Sequence, residues 1–171
     1  MIWAWVIKNS ICVICYVQRE ALDIASAKRQ GLNDHRAHEM CQKGHIDCIV
    51  CNAGTTLRRE LRDITDEDWE RTMQVNLNSS LYLIRDLYRS IAPNSRIVFI
   101  GSLMGVYPHG TSLAYGVTKA AVHALALNLV KCFEGTNTTV NAIAPGFVET
   151  EWQATKPQHI RDNIYAKSAV K

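Results

Sequence analysis

A chain of 171 residues, 47% hydrophobic and 20% charged, is long enough for one domain with a real core and too short for two comfortable ones. The net charge of +3 is small and its basic residues are scattered, which excludes a nucleic-acid footprint.

Residues 1–7 are apolar throughout, Lys8, Asn9 and Ser10 interrupt, and residues 11–17 are apolar again. Each run is shorter than the ~18 to 20 residues a membrane span requires. The first lysine follows its apolar run instead of preceding it, the reverse of a secretory signal. Two short strands, or one strand and a frayed start, are expected here, in a cytoplasmic protein with no membrane partner. Residues 18–45 are expected to form one or two helices with a break near residues 31–34.

Cys12/Cys15 and Cys48/Cys51 have the Cys-x-x-Cys spacing of a zinc ribbon. Both pairs lie in β-branched, strand-like runs, however, where residues three apart point to opposite faces. No metal site is expected, and disulfides are not expected in a reducing compartment.

From residue 46 onward, strand and helix signals alternate. Ile46 to Cys51 reads as a strand ending in the polar turn Asn52-Ala53-Gly54. Thr65, followed by Asp66, Glu67 and Asp68, has the pattern of a capping box. The helix that follows places Trp69, Met73, Leu77, Leu81, Ile84 and Tyr88 on one stripe and is expected to stop at Pro93-Asn94. Residues 96–101 form the next strand, Leu113–Phe133 a long helix, and residues 138–144 a further strand broken by Pro145-Gly146. The last residues, from 151, suit a short helix.

Such alternation implies an α/β fold with a parallel sheet and helices on both sides. Sheets of this kind bind ligands beyond the carboxyl ends of their strands. Asn52-Ala53-Gly54, Ser102 and Pro145-Gly146 all fall at such ends.

Tyr115 and Lys119 stand four apart on the long helix and so share one face. A tyrosine hydroxyl ordinarily titrates near ~10; a neighbouring ammonium stabilises the phenolate and makes it a usable general acid and base. Ser102, at the end of the preceding strand, is placed to bond the same reacting oxygen.

The ordered set of Asn52-Ala53-Gly54, Asn76 within Val-Asn-Leu, Gly101-Ser102, Tyr115-Gly-Val-Thr-Lys119, and Asn141-Ala-Ile-Ala-Pro145-Gly146 with Thr150 resembles the short-chain dehydrogenase/reductase family. The resemblance is greatest to carbonyl and 3-oxoacyl-carrier-protein reductases, and it runs from about His45 to Thr150. It implies an incomplete Rossmann-like, doubly wound parallel sheet and an NAD(P)-dependent oxidoreductase acting on a ketone or secondary alcohol. It makes Tyr115 the proton donor, Lys119 the group that lowers the tyrosine's pKa and binds the nicotinamide ribose, and Ser102 the donor that polarises the carbonyl. Asn76 would hold a water in a proton relay to Lys119. Asn52, Ala53 and Gly54 would line the cofactor, and Pro145, Gly146, Val148 and Thr150 would form the loop over its nicotinamide. Tyr107 and His109 are candidate substrate-side residues.

The family's opening strand and glycine-rich pyrophosphate loop have no counterpart, since the first glycine is Gly31. Residues 11–16 followed by Gln18-Arg19 look like the family's second strand and its specificity turn, where Arg19 would favour NADP. Full members also continue past residue 171. The chain therefore reads as one partial domain over residues 1–171: a divergent part (1–45), a catalytic core (46–150) and the start of a substrate-loop region (151–171).

The Leu113–Phe133 helix is apolar nearly all round, so one face needs a partner beyond the sheet. In the family this helix lies in a subunit interface, and a homo-oligomer is expected. The rival to an enzyme is a catalytically impaired fragment that keeps these residues as a non-enzymatic scaffold.

Overall fold

Five strands form one sheet in the order β1-β2-β3-β4-β5 among the described residues. They are β1 (Ile2–Ile7), β2 (Ser10–Cys15), β3 (Ile46–Cys51), β4 (Ile91–Ile100) and β5 (Thr139–Ile143). The structure is a computed structural model that describes residues 2–7, 10–15, 46–148 and 157–166. β1 is antiparallel to β2, and β2, β3, β4 and β5 run parallel to one another. The helices expected within residues 18–45 lie outside the described residues.

A continuous helical stretch follows β3: α1 (Asp66–Met73), a π-helical turn (Gln74–Asn78) and α2 (Ser79–Leu87). The hydroxyl of Thr65 accepts from the Asp68 backbone N–H at 3.1 Å, and three acids occupy the positive first turn, as the capping pattern requires. After β4 comes α3 (Leu113–Leu129), prolonged by a 3-10 turn to Phe133, and near the end α4 (Gln158–Ala166).

The core lies between the sheet and α2 with α3. Ile49, Ile97 and Val140 align across three strands, and Cys51 pairs with Phe99 in the next row of the same face. Leu83, Ile84 and Leu87 of α2 and Val122 and Ala126 of α3 pack onto these rows. Ile97 and Phe99 are fully buried, each contributing roughly 1.5 to 3 kcal/mol of transfer free energy. On the other face, Val50, Val98 and Ile100 are only half-buried, so α2 and α3 both cover the same side. With its 3-10 extension to Phe133, α3 is long and apolar enough by composition to cross a membrane. Here its Val122 and Ala126 are core residues packed on the sheet.

Three sequence expectations shift. The helix after Thr65 buries Thr72, Asn76, Ser79, Ser80, Leu83, Ile84 and Leu87, whereas Leu81 and Tyr88 are 40% and 47% exposed. The buried positions keep helical spacing from Thr72 to Leu87, but on the face adjoining the expected apolar stripe. The buried face is polar in its first half because the hydroxyls of Thr72 and Ser79 bond back to Asp68 O and Val75 O within the helix.

β4 begins at Ile91, so Pro93-Asn94 lies inside the strand instead of stopping the helix, which ends at Ser90. Asn94 takes a φ of 65°, a left-handed conformation that asparagine tolerates, and its carbonyl-amide side chain is braced by Asn137 at 2.7 Å. The register between β3 and β4 shifts at this point. Finally, β2 lies directly beside β3. In the doubly wound order 3-2-1-4-5-6 that place belongs to the first strand, not to the second, which β2 resembles in sequence.

Candidate active site

Alternate backbone groups fasten the end of β4 to the end of β5. Gly101 N–H donates to Ile143 O at 2.8 Å, and Leu103 N–H donates to Pro145 O at 2.9 Å. Ser102 sits between them, buried, and the Pro145-Gly146 turn is thereby held against it. The Ser102 hydroxyl oxygen accepts from Met104 N–H at 3.1 Å, capping a 3-10 turn at Leu103–Gly105. Its own O–H remains available to donate. That turn rests on α3 at Gly105, where a Cβ would stand 2.6 Å from the Ala120 backbone nitrogen, so only glycine fits.

Tyr115 is half-buried in the first turn of α3, and Lys119 is buried one turn later. The Lys119 ammonium donates to Ile100 O at 2.6 Å and lies 5.8 Å from the centroid of the Tyr115 ring. Burial lowers the lysine's pKa to about 8, which leaves it mostly protonated at neutral pH. Ile100 occupies one of three N–H donors, so donors remain. Among the described residues no hydrogen-bond partner meets the Tyr115 hydroxyl.

Asn52, Ala53 and Gly54 follow β3, and a Cβ on Gly54 would stand 3.5 Å from Lys119 Nζ, which brings this turn beside the lysine. Asn76 lies in the π-helical turn and is 1% exposed. Its Oδ1 accepts from Thr55 N–H at 2.7 Å, and its Nδ2 donates to Thr55 O at 3.0 Å and to Thr118 Oγ1 at 2.9 Å. The side chain therefore clamps the turn after Gly54 and ties it to α3. One lone pair of Oδ1 is left for a water.

The loop after this turn also meets the start of α3, because Arg59 N–H donates to Thr111 O at 3.1 Å. Val148 is 58% exposed at the far end of the Pro145 loop. Thr150 and Arg19 lie outside the described residues. Tyr107 and His109 line an open cavity of about 460 Å³ with Leu113, Gly116 and Val117 of α3. Ser102 and Tyr115 do not line it. Among the described residues no group of three or more His, Cys, Asp or Glu side chains converges as a metal site would require.

Sequence reasoning missed two residues. Thr118 is fully buried, accepts from Asn76 and donates to Tyr115 O at 2.8 Å. His123 Nε2 accepts from Ser102 N–H at 3.3 Å. Its signal was available, since His123 continues the four-residue ladder of Tyr115 and Lys119 along one face of α3.

A nicotinamide ribose is matched by the chemistry found here: a buried ammonium with spare donors, beside a glycine turn that leaves backbone open. The pyrophosphate half is matched less well. β2 is the strand beside β3, and the sequence continues from it with Tyr16, Val17, Gln18 and Arg19, without a glycine before Gly31.

Residues 18–161 match the short chain dehydrogenase family. The chain is 33% identical over 132 residues to the short-chain dehydrogenase/reductase SDRA of Arabidopsis thaliana, covering 73% of this chain and 50% of that protein. It is 32% identical over 126 residues to a 3-oxoacyl-[acyl-carrier-protein] reductase of Thermotoga maritima, covering 72% and 51%. Among solved structures, a 3-oxoacyl (acyl-carrier-protein) reductase of Agrobacterium tumefaciens with NADP bound superposes with a TM-score of 0.66 at 28% identity, covering 75% of this chain and 49% of that one. The chain thus spans about half the length of the curated relatives it matches. Its matched span and the fold it shares with these proteins make this chain a member of the short-chain dehydrogenase family.

Proposed function

We propose that the protein is an NAD(P)-dependent oxidoreductase that interconverts a ketone and a secondary alcohol, of 3-oxoacyl type or similar. The observation that carries this reading is the buried Lys119 ammonium, fixed on Ile100 O beneath Tyr115 and two residues from Ser102. Nicotinamide, when bound, supplies or accepts the hydride at the carbonyl carbon. In the reductive direction Ser102 O–H donates a hydrogen bond to the carbonyl oxygen, drawing negative charge to a fixed point. Tyr115 O–H transfers its proton to that oxygen and becomes phenolate. The Lys119 ammonium stabilises the phenolate, and its remaining donors hold the ribose hydroxyls. Asn76, Thr55 and Thr118 keep the Asn52-Ala53-Gly54 turn at the correct distance from α3, and the open lone pair of Asn76 supports a water that returns the proton through Lys119. Pro145, Gly146, Val148 and Thr150 form the loop over the nicotinamide. Arg19 and the NADP-bound relative favour the phosphorylated cofactor.

The chain acts as one partial domain in the cytoplasm and self-associates. Leu113, Val117, Ala120, Ala124 and Leu127, at spacings of four and three, form an exposed stripe on α3 that a second copy would cover. The second reading, a scaffold that retains these residues without holding cofactor, is favoured by the lack of glycine after β2. Titration of NADH and NADPH against the purified chain, followed by nicotinamide fluorescence, separates the two. Saturable binding supports the enzyme, and no binding at millimolar cofactor supports the scaffold.

A further inference from the structure

His123 is used by none of the roles above, yet it touches the backbone of Ser102. It lies one turn beyond Lys119 on α3, and its Nε2 accepts from Ser102 N–H at 3.3 Å. The ring reaches this position only because residue 101 is glycine: a Cβ there would fall on the imidazole and stand 2.8 Å from Ile143 O.

Three successive N–H groups are thus held by three different partners. Gly101 and Leu103 donate to Ile143 O and Pro145 O, both on the β5 side. The N–H between them alternates to the other side, as strand geometry requires. There β3 offers nothing further, because its last residue, Cys51, pairs with Phe99. Without His123 the buried Ser102 N–H would be an orphan donor, a rare arrangement in folded proteins.

We infer that His123 is a positioning residue: its unprotonated Nε2 holds the Ser102 backbone, and with it the direction of the Ser102 hydroxyl. This rests on the carbonyl-polarising role proposed for Ser102. The bond requires the proton on Nδ1. A proton added at Nε2 replaces the acceptor with a donor facing a donor, and the Ser102 N–H loses its partner. Among the described residues the charged neighbour is Lys119 on the same helix, engaged with Ile100 O. The strands packed against the ring present Gly101, Ser102 and Ile143, none of which titrates. The anchor therefore needs an unprotonated ring nitrogen, while its two neighbours, made by carbonyls, do not.

The test uses the full ¹⁵N-labelled chain and its His123→Gln and His123→Leu variants. Glutamine retains an acceptor that takes no proton, and leucine has none. As pH falls, the Ser102 amide resonance should move with the same midpoint as the His123 ring nitrogens, and should cease to titrate in His123→Gln. In turnover of a 3-oxo ester, His123→Leu should lower kcat about tenfold or more with KM little changed. His123→Gln should recover most of that loss. A Ser102 amide indifferent to His123 protonation, or an undiminished kcat in His123→Leu, would overturn the inference. The amide measurement needs no turnover, so it decides the anchor even if Ser102→Ala proves harmless and the role of Ser102 itself fails.

Discussion

The Lys119 ammonium donates to the carbonyl oxygen of Ile100 at 2.6 Å, joining α3 to the last residue of β4 just ahead of Ser102. The bond is made at a buried site, and the burial lowers the lysine's pKa from the usual 10.5 to about 8. In the unfolded chain the same lysine keeps its proton to higher pH. Between those two values the unfolded state therefore binds more protons, so stability rises with pH across that window. Below about 8 both states are protonated and the desolvation penalty stands in full. The gain, measured by urea unfolding from pH 8 to 10.5 as the difference between wild type and Lys119→Met, should be about 3 kcal/mol. A difference that is flat or falls with pH contradicts this description of Lys119.

Asn76→Ala removes one acceptor and two donors from buried or half-buried partners at once. Thr55 N–H, Thr55 C=O and Thr118 Oγ1 each lose a bond. Unsatisfied buried groups of this kind cost about 1 to 3 kcal/mol each, and partial relaxation should leave a net loss of about 2 to 4 kcal/mol by chemical denaturation. Asn76→Asp keeps the acceptor and should lose less at acidic pH than at neutral pH.

Gly105→Ala pushes a Cβ against the backbone of α3 at Ala120 and Lys119. Neither side is a flexible side-chain tip, so the 3-10 turn after Ser102 must lift away. Destabilisation of about 1 to 3 kcal/mol is expected from calorimetry. Gly110→Ala, with nothing within 4 Å of its Cβ, is the matched control and should be near neutral.

Leu127 is 74% exposed and Val117 44% exposed on the outer stripe of α3. Leu127→Lys should shift sedimentation from an oligomer to a monomer without lowering thermal stability of the fold at low concentration. A wild-type chain that sediments as a clean monomer contradicts the proposed self-association.

The parts of the site legible in the sequence are those set by local spacing. Tyr115 and Lys119 share a face because they are four apart on one helix, and Ser102 and Pro145 converge because each ends a parallel strand. The parts that were not legible depend on buried polar residues or on distant pairing. The buried face of the helix after Thr65 includes Thr72, Asn76, Ser79 and Ser80, so a stripe traced through apolar residues alone passes beside it. The Asn76–Thr55 clamp spans 21 residues, and hydropathy says nothing of it. Nor does an apolar run announce its neighbour: β2 beside β3, with β1 folded back antiparallel, follows from pairing alone. His123 continues the four-residue ladder of Tyr115 and Lys119, but the space that admits its ring is opened by Gly101 on a different element.

The central claim, that Tyr115 is the proton donor of a nicotinamide-dependent ketone reduction, is tested most directly by comparing wild type with Tyr115→Phe. The measurement is consumption of NADPH or NADH in the presence of a 3-oxo ester, with cofactor binding followed in parallel. Wild type should consume cofactor only when the ketone is present, and Tyr115→Phe should bind cofactor equally well while losing about a hundredfold or more of the turnover. Ketone-dependent consumption that survives undiminished in Tyr115→Phe would contradict the account, as would its complete absence from a wild-type chain that binds cofactor.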